Sequence, residues 1–436
     1  MTSSKIFANS YSSEIGVGRQ EKGNKSQTMR VGFLFLLQPF LSLLMALKNY
    51  KADWSKNVIW AIVAFYGLTF AISTEATSDS VRYAQRLAEM YASGWNISEI
   101  VARMYVVGEF RDIYQPLMTF IVSRFTENYN ILFAAFGFVL GYFYSRNIWI
   151  LIEYFDKSLN RYSVFLLVVF SLIVTISSGI NGVRMWTGAH VFIFGILQYL
   201  LLGKSLRGIL IAASAILFHF SYIVPVILLV GYYVVGNRLI IYYCIFVASF
   251  FINELDFEFG RQLASYLPLV FEERTQMYIG EGRELRMLES AGSRSQPWFL
   301  VWNSILFNYT IFLLVSYLVI IKRNVIRESP YYSLFAVGIL FYGVFNILGY
   351  YPSVGRFLNP SSMLLFGSFV LHMQSFNDKN FKKLVLFTSP ALILFIILRI
   401  RSMMNSMSYL FVFGNPFIAP FMETDMGLYE FIRQFI

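Results

Sequence analysis

The chain has 436 residues, of which 57% are hydrophobic, 19% aromatic and 14% charged, and its mean hydropathy is +0.58. Soluble domains carry about a quarter charged residues, so this composition excludes an ordinary soluble protein and points to an all-α polytopic membrane bundle. The net charge of +10 arrives without charge runs or interleaved aromatic and basic residues, which excludes nucleic acid as a partner; in a membrane chain it reflects Lys and Arg retained on the cytoplasmic side.

The first 30 residues are polar, lack an apolar core and read as a flexible basic tail rather than a signal peptide. Residues 31–436 form a single multi-span membrane domain. Apolar runs predict spans at 31–47, 57–73, 129–147, 162–180, 185–202, 208–219, 221–235, 239–252, 298–321, 331–350, 357–373 and 384–400, about twelve helices. Two features break the series. The runs 208–219 and 221–235 are short for full spans and predict a hairpin reaching an inner cavity, and 408–421 carries Pro416 and Pro420, which suits the interface better than a crossing. The run 31–47 is interrupted at Gln38-Pro39. Long polar connections cover 74–128, with an interfacial helix expected at 114–126, and 254–297. Cys244, the single cysteine, lies in an apolar run, so it allows no disulfide within the chain and reads as core filler.

Basic residues cluster in alternate short connections: Lys48, Lys51 and Lys56; Arg146, Lys157 and Arg161; Lys204 and Arg207; Arg238; Lys322, Arg323 and Arg327; Lys379, Lys382 and Lys383. These predict the cytoplasmic side. Both long connections, the turn at Arg184 and the turn "GYYPSVGRFLNP" at 349–360 then fall on the outside. The two long connections contain ten arginines and no lysine. Lysine is a hydrated point charge, whereas the planar guanidinium matches the oxygens of a carboxylate or phosphate two at a time. Most of these loop arginines are expected to pair with the acids interspersed among them.

Arg184 and Arg356 differ: each stands at an outer turn with an apolar run directly after it, and no acid lies between Asp156 and Glu254 or between Glu328 and Asp378. A bound anion is then a candidate partner for both, aided by the helix start that follows, against the plainer reading of arginines snorkelling to lipid phosphates. Each is followed eleven residues on by a glycine, Gly195 and Gly367, a spacing that chance supplies easily. His219, in "AILFHFSYIVP", is either a satisfied core histidine or a donor to phosphate. In "STEATSDSVRYAQRL", Asp79, Arg82 and Tyr83 share one face of a helix start, where Ser78 or Asp79 is a good N-cap and Asp79 is alternatively a general base for a hydroxyl. Glu109 and Asp112 form a second acidic pair. No HExxH, P-loop, GxSxG or GxGxxG pattern occurs, and no metal ligand set or cofactor is indicated.

Taken in order, "DSVRY", Glu109 towards Pro116, "NGVRMWTGA", "AILFHFS", the long second outer connection and "GYYPSVGRF" resemble the EpsG-like branch of the Wzy-type polymerases of O-antigen, capsular and exopolysaccharide, over about residues 50–375. Met185 stands where the family carries a polar residue. The resemblance implies a multi-pass protein of the bacterial cytoplasmic (inner) membrane with its active site facing outside. Such an enzyme takes a glycan from an undecaprenyl-pyrophosphate carrier and joins it to another carrier-linked repeat, without cofactor or metal, and has a chain-length regulator protein as an expected partner. It implies Arg184 and Arg356 on the pyrophosphate, His219 assisting, Asp79 or Glu109 as base, and Arg82, Tyr83, Asn181 and Tyr351 as further substrate contacts. The rival readings are a lipid-linked glycan flippase or exporter, a glycosyltransferase using polyprenyl-phosphate sugars, and an O-antigen ligase.

Overall fold

The computed structural model describes residues 17–72, 78–105, 112–155, 159–252, 297–349, 351, 354–422 and 426–435. Among these residues the architecture is all-helical, with two isolated β-bridges, Phe70 to Met407 and Ser408 to Gly427. In chain order the helices are α1 (Val17–Leu37), α2 (Pro39–Lys48), α3 (Ser55–Leu68), α4 (Asp79–Ser93), α5 (Ile97–Tyr105), α6 (Tyr114–Ser123), α7 (Tyr129–Glu153), α8 (Arg161–Ile173), α9 (Ile176–Asn181), α10 (Val183–Leu200), α11 (Ser205–Phe218), α12 (Ile223–Val235) and α13 (Leu239–Ala248). After the second long connection come α14 (Trp298–Ile320), α15 (Arg323–Glu328), α16 (Tyr332–Leu348), α17 (Leu358–Ser375), α18 (Lys379–Ser406), α19 (Leu410–Phe413) and α20 (Leu428–Arg433).

Among the described residues, four helical stretches are long and apolar enough to cross a membrane: Tyr129–Glu153, Arg161–Asn181, Trp298–Ile320 and Lys379–Ser406. Six apolar helices are shorter. The centre is α10, α16 and α17, whose side chains are buried nearly all round, the pattern of helices enclosed by others. Small residues let neighbouring backbones touch, as membrane helix packing requires. At Gly67 an added Cβ would lie 2.1 Å from the carbonyl oxygen of Phe133, so α3 and α7 can approach this closely only with glycine there.

The bundle has two polar ends. At one, Lys56 pairs with Glu153 at 3.1 Å, and Asp378, the N-cap of α18, gathers Tyr317, Lys322 and His372. At the other end of α18, about 42 Å away for 28 residues at 1.5 Å each, Ser406 meets Ser177 of α9 at 2.7 Å, and Met407 bridges Phe70. The ion-paired lysines lie at the first end; the turn that carries Arg184 follows α9 at the second.

Several expectations need correction. The chain is already helical from Val17, inside the segment expected to be a flexible tail, where Arg19, Gln20, Glu21 and Lys22 are good helix formers. Cys244 is exposed on the outer surface of α13 rather than filling the core. That helix is apolar all round, so composition did not select a face, and Leu239, Tyr242 and Phe246 are the residues that turn inward. The region 408–421 holds only the four-residue α19 and a short 3₁₀ turn, as its prolines require. The two short runs form two helices as expected: α11 ends at Phe218 and α12 begins at Ile223, joined by a 3₁₀ turn, Phe220–Tyr222. The interfacial helix expected at 114–126 is α6. Residues 253–296, with Arg261, Arg274, Arg283, Arg286 and Arg294, lie outside the described residues.

Candidate functional site

Arg184 is the second residue of α10, where a cation is disfavoured by the positive end of the helix dipole. Its Nη1 lies 3.1 Å from Oδ2 of Asp112. The Asp112 side chain is only 2% exposed, and its other oxygen accepts the backbone N–H of Phe220 at 2.7 Å. One buried carboxylate thus ties the start of α10 to the turn that follows His219. The Ile113 N–H also donates to the Leu217 carbonyl. Arg184 has no acid near it in sequence, and its counter-ion comes from a position 72 residues earlier, which proximity in sequence could not reveal.

Arg356 lies in the 3₁₀ turn Val354–Phe357 that leads into α17. It is exposed and makes no ion pair with a carboxylate among the described residues. Its neighbour Phe357 is buried and meets the ring of Tyr222 edge-on, with centroids 5.2 Å apart. The Tyr222 hydroxyl donates to the carbonyl of Met185 at 3.0 Å. Tyr222 therefore touches the residues that follow Arg184 and Arg356, and lies three positions beyond His219. One aromatic side chain fixes three chain segments that are far apart in sequence.

His219 stands in the turn, outside both helices of the hairpin. Its Nδ1 accepts the Ser221 backbone N–H at 3.3 Å and lies 2.6 Å from the Ser221 hydroxyl. An imidazole that accepts at Nδ1 carries its proton on Nε2, so His219 is a neutral donor. Burial pushes its pKa down to about 4, while the charges of Asp112, Arg184, Arg356 and Asp79 all reach it. The site therefore places an N–H near two guanidiniums without adding a third cation.

On α4, the Ser78 hydroxyl caps the helix by accepting from Val81 N–H. Asp79 pairs with Arg82 one turn on, both partly or fully exposed. Tyr83 is buried, and its hydroxyl, facing Arg184, is held up to about 12 by burial. The Ser80 N–H donates to Asn181 at the end of α9 (3.3 Å), which brings α4 beside the Arg184 turn. Close by, the Tyr83 hydroxyl faces Arg184 and the Tyr114 hydroxyl faces Thr187, yet none of these three buried hydroxyls closes a hydrogen bond of normal geometry among the described residues. Buried polar groups are normally satisfied, and each left open costs about 1–3 kcal/mol.

Asp79, Arg82, Tyr83, Asn181, Arg184, His219 and Arg356 thus converge on one end of the bundle. Asp112 and Tyr222 complete the group; Asp112 was visible only as half of an acidic pair, and Tyr222 gave no signal in an aromatic-rich chain. Three guanidiniums (Arg82, Arg184, Arg356) face two carboxylates (Asp79, Asp112), a positive balance suited to an anion. Tyr351 is buried in the turn before Arg356, and its carbonyl accepts from Val354, so it shapes that turn. Glu109 lies outside the described residues. Among the loop arginines, Arg103 stacks over Trp95 and Arg124 over Phe120.

The two glycines at matched spacing have different surroundings. A Cβ on Gly195 would lie 2.3 Å from the Ala212 nitrogen and 2.6 Å from the Gly208 carbonyl oxygen, so this glycine lets α10 and α11 touch. At Gly367 the nearest atom would be a Leu151 methyl at 3.5 Å, ordinary contact. No cluster of three or more His, Cys, Asp or Glu able to hold a metal occurs among the described residues. No protein family, curated protein or solved structure matches this chain.

Proposed function

We propose that this protein is a membrane polymerase that joins polyprenyl-pyrophosphate-linked oligosaccharide repeats into O-antigen, capsular or exopolysaccharide at the outer face of the bacterial cytoplasmic membrane. The observation that carries the reading is the convergence of Arg184, Arg356 and neutral His219 at one end of the bundle, beside the Asp79–Arg82 pair. That end is opposite the ion-paired lysines Lys56 and Lys322, which the positive-inside rule assigns to the cytoplasm.

In the proposed reaction, the acceptor hydroxyl oxygen attacks the anomeric carbon of the donor glycan. The bond from that carbon to the diphosphate breaks, and the diphosphate departs with the electron pair. Arg356, exposed and without a counter-ion among the described residues, takes the departing diphosphate. Arg184 adds a second guanidinium whose position Asp112 fixes. His219 Nε2 donates to a phosphate or bridging oxygen. Charge-assisted bonds already oriented towards developing charge are the largest common source of rate enhancement. Asp79 accepts the hydroxyl proton; Tyr83 does not compete as a base because its hydroxyl stays protonated. The hydroxyls of Tyr83, Tyr114 and Thr187, which close no hydrogen bond of normal geometry among the described residues, offer hydrogen bonds to sugar.

The test is chain growth by purified protein in liposomes supplied with carrier-linked repeats as the sole sugar source. A ladder of products is expected from the native chain and its loss from Arg184→Ala and Arg356→Ala. Incorporation only from a polyprenyl-monophosphate sugar, or transport of the repeats without chain growth, would assign the site to a rival class.

A further inference from the structure

A second basic feature occupies the same end of the bundle, apart from the site above. The outer end of α18 and the short helix α20 enclose a groove of about 560 Å³ lined by Ile397, Ile400, Tyr429 and Ile432, with Arg401 and Arg433 among its walls. Its floor is apolar and both arginines are exposed. The Arg401 guanidinium lies over the Tyr429 ring, 5.5 Å from its centroid. The acid nearest in sequence, Glu430, does not line the groove and pairs with neither arginine. α20 is held in place through Leu428, whose N–H donates to the Met407 carbonyl, and through the bridge between Ser408 and Gly427. Met407 also bridges Phe70, and Ser406 touches Ser177 of α9, so the groove is at the level of the Arg184 turn. α18 is the least enclosed of the four long apolar helices, and Ile393, Ile397 and Ile400 are exposed along it. The groove is therefore open sideways to lipid.

We propose that this groove binds a polyprenyl phosphate or diphosphate lipid: Arg401 and Arg433 take the phosphate oxygens, and the first isoprenoid units lie along Ile397, Ile400 and Ile432. An apolar channel ending in two guanidiniums that pair with no carboxylate among the described residues complements a long apolar tail with a phosphate head. The assignment rests on the polymerase reading, and follows from it: joining two carrier-linked glycans requires two diphosphate anchors, while Arg184 with Arg356 supplies one. The groove is the second.

Undecaprenyl diphosphate, without sugar, is titrated into the protein in nanodiscs of zwitterionic phosphatidylcholine, and bound lipid is counted by native mass spectrometry. Two equivalents are expected on the native chain, one on Arg401→Gln/Arg433→Gln and one on Arg184→Ala/Arg356→Ala. Both groove arginines are exposed, so the first variant keeps its fold, and Arg401→Lys/Arg433→Lys should retain binding weakened about tenfold or less. Unchanged stoichiometry in the groove variant overturns the proposal. Displacement of the groove-bound equivalent by phosphatidylglycerol at equal concentration also overturns it, making the groove a site for ordinary anionic lipid. Failure of the polymerase reading shows separately, as no chain growth in the liposome assay by protein that still binds two equivalents.

Discussion

Arg184 and Arg356 are both arginines at helix entrances, yet their surroundings give them different work. Arg184 is committed to Asp112, and Asp112 is committed in turn to the backbone of Phe220. Removing either partner leaves the other poorly compensated, and contacting charges couple by about 0.5–3 kcal/mol in double-mutant cycles. Asp112→Asn and Arg184→Gln are each expected to lower the denaturation midpoint, and the double variant to be less destabilised than the sum; additive losses would show that the pair does not couple. Arg356 has no carboxylate partner to abandon among the described residues. Arg356→Ala should therefore leave stability nearly unchanged while lowering turnover about 10²–10³-fold, the loss typical for one charge-stabilising donor.

His219 adds a pH dependence with a definite sign. Its folded pKa, near 4, lies below the unfolded value of about 6.5. The protonated form is disfavoured in the fold, so the stability linked to this residue is full above about pH 6.5 and is lost as the pH falls towards 4. Chain growth measured between pH 6 and 8 should show no limb from His219, and His219→Gln should reduce the acid-side loss of stability between pH 6.5 and 4. A limb near pH 6.5 that disappears in the variant would contradict the neutral Nε2–H assignment. These residues were legible because ionisable side chains are conspicuous in apolar sequence. Asp112 was less so, since its neighbour Glu109 offers the same chemistry and only tertiary contact distinguishes the two.

At the scale of elements, helix positions were readable from apolar runs, and the short hairpin α11–α12 from two runs too brief to span. What the runs concealed was facing. α13 is apolar on all sides, so Cys244 was misplaced inside; it is exposed. The site depends on the hairpin lying against α10, and Gly195 with Gly208 makes that possible. A methyl group at Gly195 cannot fit without parting the helices, a strain of about 1–3 kcal/mol. Gly195→Ala should lower both stability and chain growth, whereas Gly367→Ala, where the nearest atom would be 3.5 Å away, should leave both near native. Equal effects at the two positions would argue that the matched spacing, rather than helix contact, is what counts.

At the scale of the whole molecule, the separation of lysine from the arginine-rich site was readable from charge alone, since the positive-inside rule and the proposed phosphate recognition would each leave a mark in composition. Folding then gathers α4, α6, α9, α10, the hairpin and the start of α17 at one end of the bundle, far from the Asp378 and Glu153 end. With Cys244 replaced by Ser, a cysteine introduced at Asn181 should react with a membrane-impermeant maleimide added outside intact cells, and one introduced at Lys382 only after permeabilisation; the reverse pattern would turn the bundle over. The most direct test of the central claim is chain growth from carrier-linked repeats in liposomes, comparing native protein with folded Arg356→Ala. The account predicts a polymer ladder from the native chain and loss of about 10²-fold or more in the variant; a variant that builds the same ladder at the native rate would contradict it.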